Sequence, residues 1–280
     1  MNTNMKPEVS IVIPSYKNSP LDLENLHKNI ANLDYPQVKV KVVNIKVSEG
    51  KKRIGYAEAA NKGILRNKSD LILLINADTK LDKDLLKILV GYTRKNPEVG
   101  IVGPKVYSMS DPLEVSPVDL PVLSFNKFFG KMKKVDPLWL ENKRKPFSVA
   151  WISGSCMLFR RRVWKKLSGF EKNYFMYWED ADFCMRTRNL GYKVFLVPNA
   201  KIWHRSGASI GKDNPERIYY VKRNSLYFLE KYTLPPGVIL NGIKTTFLIF
   251  VKTLRYFLGE KEVSKAYIRA VFDYLRRKKG

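Results

Sequence analysis

The sequence predicts an α/β fold: an open sheet covered by helices on both faces, with a helical extension at the C-terminal end. Three observations point there. Short apolar runs alternate with segments of helical spacing through the first hundred residues, the pattern of a layered sheet. The clearest run, "LILLI" at Leu71 to Ile75, is uniformly apolar, as in strands buried on both sides. From about Pro215 onward the chain reads as helix, first polar and then strongly apolar.

Taken in order, "VSIVIPSY" begins with an apolar run, Val9 to Ile13, that reads as a buried parallel strand closed by Pro14. "LDLENLHKNIANL" spaces Leu23, Leu26 and Ile30 on one helical side. The valines of "VKVKVVN" suit a second strand ending near Asn44. Gly55 to Arg66 predicts a helix, "LILLI" a strand, "DKDLLKILVGYTRKN" a helix and "VGIVG" a fourth short strand. Active sites of such sheets lie beyond the carboxyl ends of the strands, where Asn44 and the segment Asn76–Asp78 fall. Between about Tyr107 and Pro146 the period is lost. A long loop or insertion that covers something is expected there, with "FNKFFGKMKK" mixing three phenylalanines and four lysines inside it. "SCMLF" then predicts a strand, a helix begins near Arg161, and "YKVFLV" reads as an edge strand. Pro235-Pro236 separates a helix over Pro215–Tyr232 from "GVILNGIKTTFLIFVKTLRYFLG". A helix in that last stretch gathers Ile239, Ile243, Phe247 and Phe250. It suits either packing on the core or lying in a membrane surface. The four consecutive basic residues of "YLRRKKG" favour an anionic membrane.

Composition narrows the class. The 280 residues are 45% hydrophobic, enough for a sizeable core and too many for disorder. The 51 Lys and Arg against 26 Asp and Glu leave a formal charge of +25, which calls for an anionic partner: nucleic acid, acidic membrane or a phosphate-bearing substrate. Cys156 and Cys184 form no metal-ligand pattern and read as two free thiols of a reducing compartment. The start, "MNTNMKPEVS", has no signal-like apolar stretch, and no run reaches the roughly 18 uncharged apolar residues of a membrane span. A cytoplasmic location is expected.

The chemistry concentrates in three places. "INADTK" follows the strongest strand, and Asp78 there suits a hard divalent cation bridging phosphates, although a lone Asp after a strand is commonly a turn residue. His204, in the turn-rich "IWHRSG", adds an imidazole of the kind Mn²⁺ accepts, or serves as a structural hydrogen bonder. "MYWEDADFC" crowds Glu179, Asp180 and Asp182 beside aromatic residues. On a helix starting near Tyr177, Glu179 and Asp180 point about 100° apart. One would therefore face a pocket as a general base while Asp182 caps or braces the helix; a solvated first turn explains the acids equally well locally. No Ser-His-Asp order, Walker loop or GxGxxG motif occurs, so hydrolase, ATPase and dinucleotide readings lack support.

From "VSIVIPSYKN" to "YYVKRNSLYFLEKY", roughly residues 8 to 232, the chain resembles the inverting family 2 glycosyltransferases, especially a rhamnosyltransferase-like branch that builds surface polysaccharides. "GYAEAANKGI", "LLINADTKL", "VGIVGPKVY", the long stretch from "WISGS" to "GYKV", and "WHRSGAS" carry the resemblance through their order and spacing. It implies a Rossmann-like nucleotide-diphospho-sugar transferase fold of the glycosyltransferase A type. Nucleotide-sugar contacts are then expected from Pro14, Ser15 and Tyr16, from Asn44 in place of the usual Asp, and from Arg53, Asn61 and Asn76. By the same resemblance Asp78 and His204 hold Mg²⁺ or Mn²⁺, Asp180 is the catalytic base beside Glu179, and Trp151, Gly154 and Glu179 meet the acceptor.

The implied reaction moves a sugar from a nucleotide-diphosphate donor to a saccharide or lipid-linked saccharide acceptor at the inner face of the cell membrane. Residues 1–104 are expected to form the donor half, 105–232 the acceptor half of the same domain, and 233–280 a helical extension. A basic nucleic-acid-binding protein and a catalytically reduced scaffold are the alternatives. The first lacks any helix-turn-helix, zinc-finger or RNA-binding motif, so no nucleic acid is expected; the second rests on Asn44 and Asn76.

Overall fold

The computed structural model describes residues 7–15, 19–35, 40–46, 54–205 and 214–278, with the backbone alone for 40–46. In chain order it contains β1 (Val9–Ser15), α1 (Pro20–Ala31), β2 (Val40–Lys46), α2 (Tyr56–Leu65), β3 (Leu71–Ile75), β4 (Thr79–Leu81), α3 (Leu85–Lys95) and β5 (Val99–Ser108). There follow β6 (Val122–Asn126), β7 (Lys131–Lys134), α4 (Pro137–Asn142), β8 (Phe147–Ser148), β9 (Cys156–Arg160), α5 (Arg161–Lys166) and α6 (Glu179–Asn189). β10 (Lys193–His204), α7 (Pro215–Tyr232), α8 (Pro235–Phe257) and α9 (Lys261–Leu275) complete the order.

The main sheet runs β2-β1-β3-β9-β5-β10-β4, with β8 also on β10. β1 is parallel to β2 and β3, and β5 is parallel to β10. β9 runs antiparallel between β3 and β5, and β4 and β8 run antiparallel to β10, so the sheet is mixed. Side chains alternate along each strand, and the two faces bury separate clusters. Ile72 and Leu74 of β3 join Phe159, Ala60, Ile64 and Phe183 on one face. Leu71, Leu73 and Ile75 join Leu26, Leu86 and Leu89 on the other. Both faces of β3 are thus dry, which is why its sequence is apolar throughout.

Several expectations are corrected. "YKVFLV" opens the 12-residue β10; this part pairs with β5 on one side and has only the two-residue β8 on the other, while β4 joins β10 at Ile202–His204. His204 is the last residue of that strand rather than part of a turn. The second strand continues past Asn44 to Lys46, and the fourth short strand is the ten-residue β5. Of the loop or insertion expected after Tyr107, the structure shows an insertion with elements of its own. It holds the β6–β7 hairpin and α4, and Val122, Val135 and Leu140 anchor it in the core. Residue 104 lies inside β5, and β9 sits between β3 and β5, so residues 1–104 and 105–232 share one sheet. The C-terminal helices α8 and α9 form the expected extension. α9 returns to α7 through Tyr219 Oη donating to Asp273 (2.7 Å) and the Glu230–Arg277 ion pair.

α8 was expected to fall short of a membrane span. It is nevertheless long and apolar enough to cross one by length and composition, with a mean hydropathy of 1.4, and little of it is buried.

Candidate active site

At the carboxyl ends of β1 and β3 lies a pocket of about 400 Å³. β9 starts at the same edge, where the Asn76 N–H donates to the Ser155 carbonyl (3.0 Å). The strand order leaves β1 in opposite directions toward β2 and β3, which opens a crevice at that edge.

One wall carries Asn76, Asp78 and His204. His204 Nε2 lies 3.3 Å from Asp78 Oδ1 and 3.4 Å from Asn76 Nδ2. Tyr56 Oη donates to Asn76 Oδ1 (2.8 Å), which turns the amide NH₂ toward the imidazole. Burial raises the Tyr56 phenol pKa well above its usual value, with Glu179, Asp180 and Asp78 adding to the rise, so Tyr56 stays a donor. On its far side His204 Nδ1 meets Asp119 Oδ2 at 2.9 Å. Ser116 and Ser153 donate to the same carboxylate at 2.7 and 2.6 Å. Burial alone would raise Asp119, but these donors hold it well below the carboxylate range. Burial likewise works against the imidazolium, yet Asp119 and Asp78 lift His204 to about 10.

The opposite wall is the start of α6. Tyr177 and Trp178 enter it with φ of 66° and 74°, and Phe175 has φ of 62°, the left-handed region that costs non-glycine residues energy. α7 holds this segment in place. Asn224 Nδ2 donates to the carbonyls of Tyr174, Met176 and Tyr177 at 2.6, 2.7 and 2.9 Å. The reversal brings both Glu179 and Asp180 to the pocket, where one of the pair was expected.

Asp180 Oδ2 accepts the Gly154 N–H and Oδ1 the Ala181 N–H, each at 2.7 Å. A Cβ at Gly154 would lie 3.2 Å from the Asp180 Cβ, so the close approach favours glycine. Burial raises the Asp180 carboxyl against these backbone donors. Burial, and then the charge of Asp180, push Glu179 well above the usual range; its Oε2 is buried without a hydrogen-bond partner. Asp182 faces away and braces the helix. It is fully buried and pairs with Arg186 and Lys231, each at 2.6 Å.

The pocket therefore gathers Pro14, Asn76, Asp78, Trp151, Gly154, Glu179, Asp180 and His204 of the expected residues. Ser15 is buried at the end of β1 and does not line it. Asn61 does not either. Its amide accepts from Trp164 Nε1 and the Phe170 N–H and donates to the Phe170 carbonyl, so it fastens α2 to the segment after α5. Tyr16, Arg53 and the Asn44 side chain lie outside the described residues. Tyr56, Asp119, Ser153, Lys134 and Arg217 were missed and line the pocket as well.

A family model, "Glycosyltransferase like family 2", matches residues 41–217. The chain belongs to this family. As a family 2 glycosyltransferase it is 25% identical over 210 residues to the N-acetylglucosaminyl-diphospho-decaprenol L-rhamnosyltransferase of Mycobacterium tuberculosis, covering 66% of this chain and 67% of that one. It is 24% identical to the dTDP-rhamnosyl transferase RfbF of Shigella flexneri over 79% and 75% of the two chains. In fold this glycosyltransferase is similar to the mannosyltransferase PcManGT of Pyrobaculum calidifontis, solved with GDP-Man and Mn²⁺. The TM-score is 0.57 at 14% identity, covering 99% of this chain and 89% of the other. The mixed sheet with C-terminal helices is thus a glycosyltransferase A-type fold.

Proposed function

We propose that this glycosyltransferase moves a sugar, with inversion, from a nucleotide-diphosphate donor to a hydroxyl of a saccharide or lipid-linked saccharide. The observation that carries the reading is that Asp180 and the Asp78–His204 pair line one pocket. A base and an anchor for the leaving group thereby flank a common space.

The donor set fits a divalent cation. Two cis ligands of an octahedral ion with bonds of about 2.1 Å lie roughly 3 Å apart, close to the 3.3 Å between Asp78 Oδ1 and His204 Nε2. Among the described residues no third His, Cys, Asp or Glu completes a cage. That matches the way Mg²⁺ keeps positions for phosphate oxygens and water. PcManGT was solved in complex with GDP-Man and Mn²⁺. Asp78 and His204 would hold Mg²⁺ or Mn²⁺, the cation taking the place of the His204 Nε2 proton while Nδ1–H stays on Asp119, and it would supply positive charge as the diphosphate departs. Asn76 and Pro14 face the donor from the same side.

Asp180 takes the acceptor hydroxyl proton while that oxygen attacks the anomeric carbon. The bond to the diphosphate breaks on the opposite face, so one displacement inverts the centre. The Gly154 and Ala181 N–H groups keep Asp180 aimed during transfer. Glu179, whose carboxyl burial pushes toward the neutral form, orients the acceptor through its unpartnered Oε2. Trp151 floors the acceptor side.

The basic charge and the exposed apolar stripe of α8 support a membrane-bound acceptor at the cytoplasmic face. The M. tuberculosis relative is named for a diphospho-decaprenol acceptor. The stripe, Ile239, Ile243, Phe247 and Phe250, is more than 60% exposed.

Asp180→Asn tests the base. Turnover falls by about 10²-fold or more, the usual worth of a positioned base, while calorimetric binding of the sugar nucleotide stays near the parent value. Turnover at the parental rate in that variant refutes the assignment.

A further inference from the structure

The hairpin of β6 and β7 has an unusual surface. Phe128 and Phe129 at its tip are 48% and 43% exposed, and Met132 on β7 is 37% exposed. Lys127, Lys131, Lys133 and Lys134 surround them, all exposed. Two large aromatic rings at the apex of a tight turn contribute little to the core and give up contact with water only if something covers them. The turn is built firmly. Asn126 Oδ1 accepts from the N–H groups of Phe128 and Phe129 at 2.9 and 3.1 Å, and Gly130 supplies the positive φ of 65°.

This tip is joined to α8. The Leu234 N–H donates to the Lys127 carbonyl (2.7 Å), and Asn241 Nδ2 donates to the Phe129 carbonyl (3.3 Å). At Gly237 the helix approaches the Phe128 carbonyl so closely that a Cβ would collide with it. The apolar stripe of α8 begins one turn further on, at Ile239 and Leu240, and continues to Phe257. Tip and stripe are therefore joined through one packed junction. Along β7 the alternate residues Met132 and Lys134 also line the active-site pocket.

Aromatic and aliphatic side chains interleaved with lysines match one kind of surface well: apolar groups enter the headgroup layer while cations meet lipid phosphates. We propose that the β6–β7 hairpin is a second anchor for an anionic lipid bilayer, completing the surface begun by α8 and holding the pocket mouth at the headgroups. This rests on the membrane reading given above for α8. It adds a reason for the hairpin's composition and a route for the substrate. An acceptor sugar on a lipid phosphate reaches the pocket past Lys134 without its chain leaving the bilayer.

The test is flotation of the full chain with vesicles of equimolar phosphatidylglycerol and phosphatidylcholine. The variants are Phe128→Ser with Phe129→Ser, and Lys131→Glu with Lys133→Glu. An α8 variant, Ile243→Ser with Phe247→Ser, runs beside them. The expected result is that the parent floats and each hairpin variant loses at least tenfold in vesicle association at an unchanged Tm. Hairpin variants that float like the parent, with the α8 variant released, overturn the hairpin anchor and leave the α8 reading standing. A parent that stays in solution, or that buries this face by dimerising in sedimentation equilibrium, overturns both. A single reporter avoids any folding defect. Lys133→Cys takes a polarity-sensitive thiol dye selectively, since Cys156 and Cys184 are buried. A blue shift on adding the same vesicles supports the anchor, and an unshifted spectrum rejects it.

Discussion

Glu179 is a buried carboxyl one position from the carboxylate it has to live beside. Burial first, and the Asp180 charge second, raise its pKa above the value of the unfolded chain. The folded state therefore binds this proton more tightly than the unfolded state does. Stability from that proton is fully present below the unfolded pKa, near 4.3, and is lost as pH rises through the raised folded value. Glu179→Gln removes the titration. The Tm difference, variant minus parent, should thus grow in the variant's favour from pH 4 to pH 8. A difference that stays constant across that range, measured by calorimetry in matched buffers, rules out the raised pKa. Asp119 has the opposite sign, since its folded pKa is depressed and its contribution disappears only as pH falls. Asp119 was also invisible to sequence reading. It sits in a stretch with no period, and its meaning comes from Ser116, Ser153 and His204, the last 85 positions away. Asn61 shows the reverse problem. Its position resembled a donor contact, yet a buried amide on a helix is equally well used as a bracket between loops.

Among the elements, the junction of α6 with α7 does most to form the acceptor wall. Three residues near the start of α6 have positive φ, and one Asn224 side chain holds three carbonyls of that segment. Asn224→Ala leaves buried carbonyls without this partner, at about 1–3 kcal/mol per unsatisfied group. The expected outcome is a Tm lower by several degrees together with reduced turnover, because the Glu179–Asp180 turn relaxes. A variant with parental Tm and turnover shows that the strained turn holds itself. None of this strain is written in "MYWEDADFC", where aromatic residues give no hint of left-handed backbone. Strand β3 and helix α7, by contrast, were legible, because a doubly buried strand must be apolar and an 18-residue helix repeats its period several times. β10 was legible only at its start. At "YKVFLV" its far side has only the two-residue β8, so that stretch is locally edge-like, and β4 joins only at its last three residues. β4, with three residues, is too short to carry a pattern.

At the scale of the whole molecule, the charge of +25 and the apolar face are two separable parts of one proposed attachment. Each basic residue close to an anionic bilayer contributes about 1 kcal/mol, and this part acts only within a Debye length. That length falls from about 10 Å at 0.1 M salt to about 3 Å at 1 M. The apolar part, from Phe128, Phe129 and the α8 stripe, depends on area removed from water and does not weaken with salt. Raising the salt should therefore bring association with phosphatidylglycerol vesicles down toward the level seen with neutral phosphatidylcholine, but not to zero. Sedimentation of sucrose-loaded vesicles at the two salt concentrations measures both levels. Complete release at 1 M salt means that the exposed aromatic and aliphatic side chains do not enter the bilayer and that attachment is purely electrostatic. Binding unchanged by salt means that the lysines beside those side chains face away from the lipid.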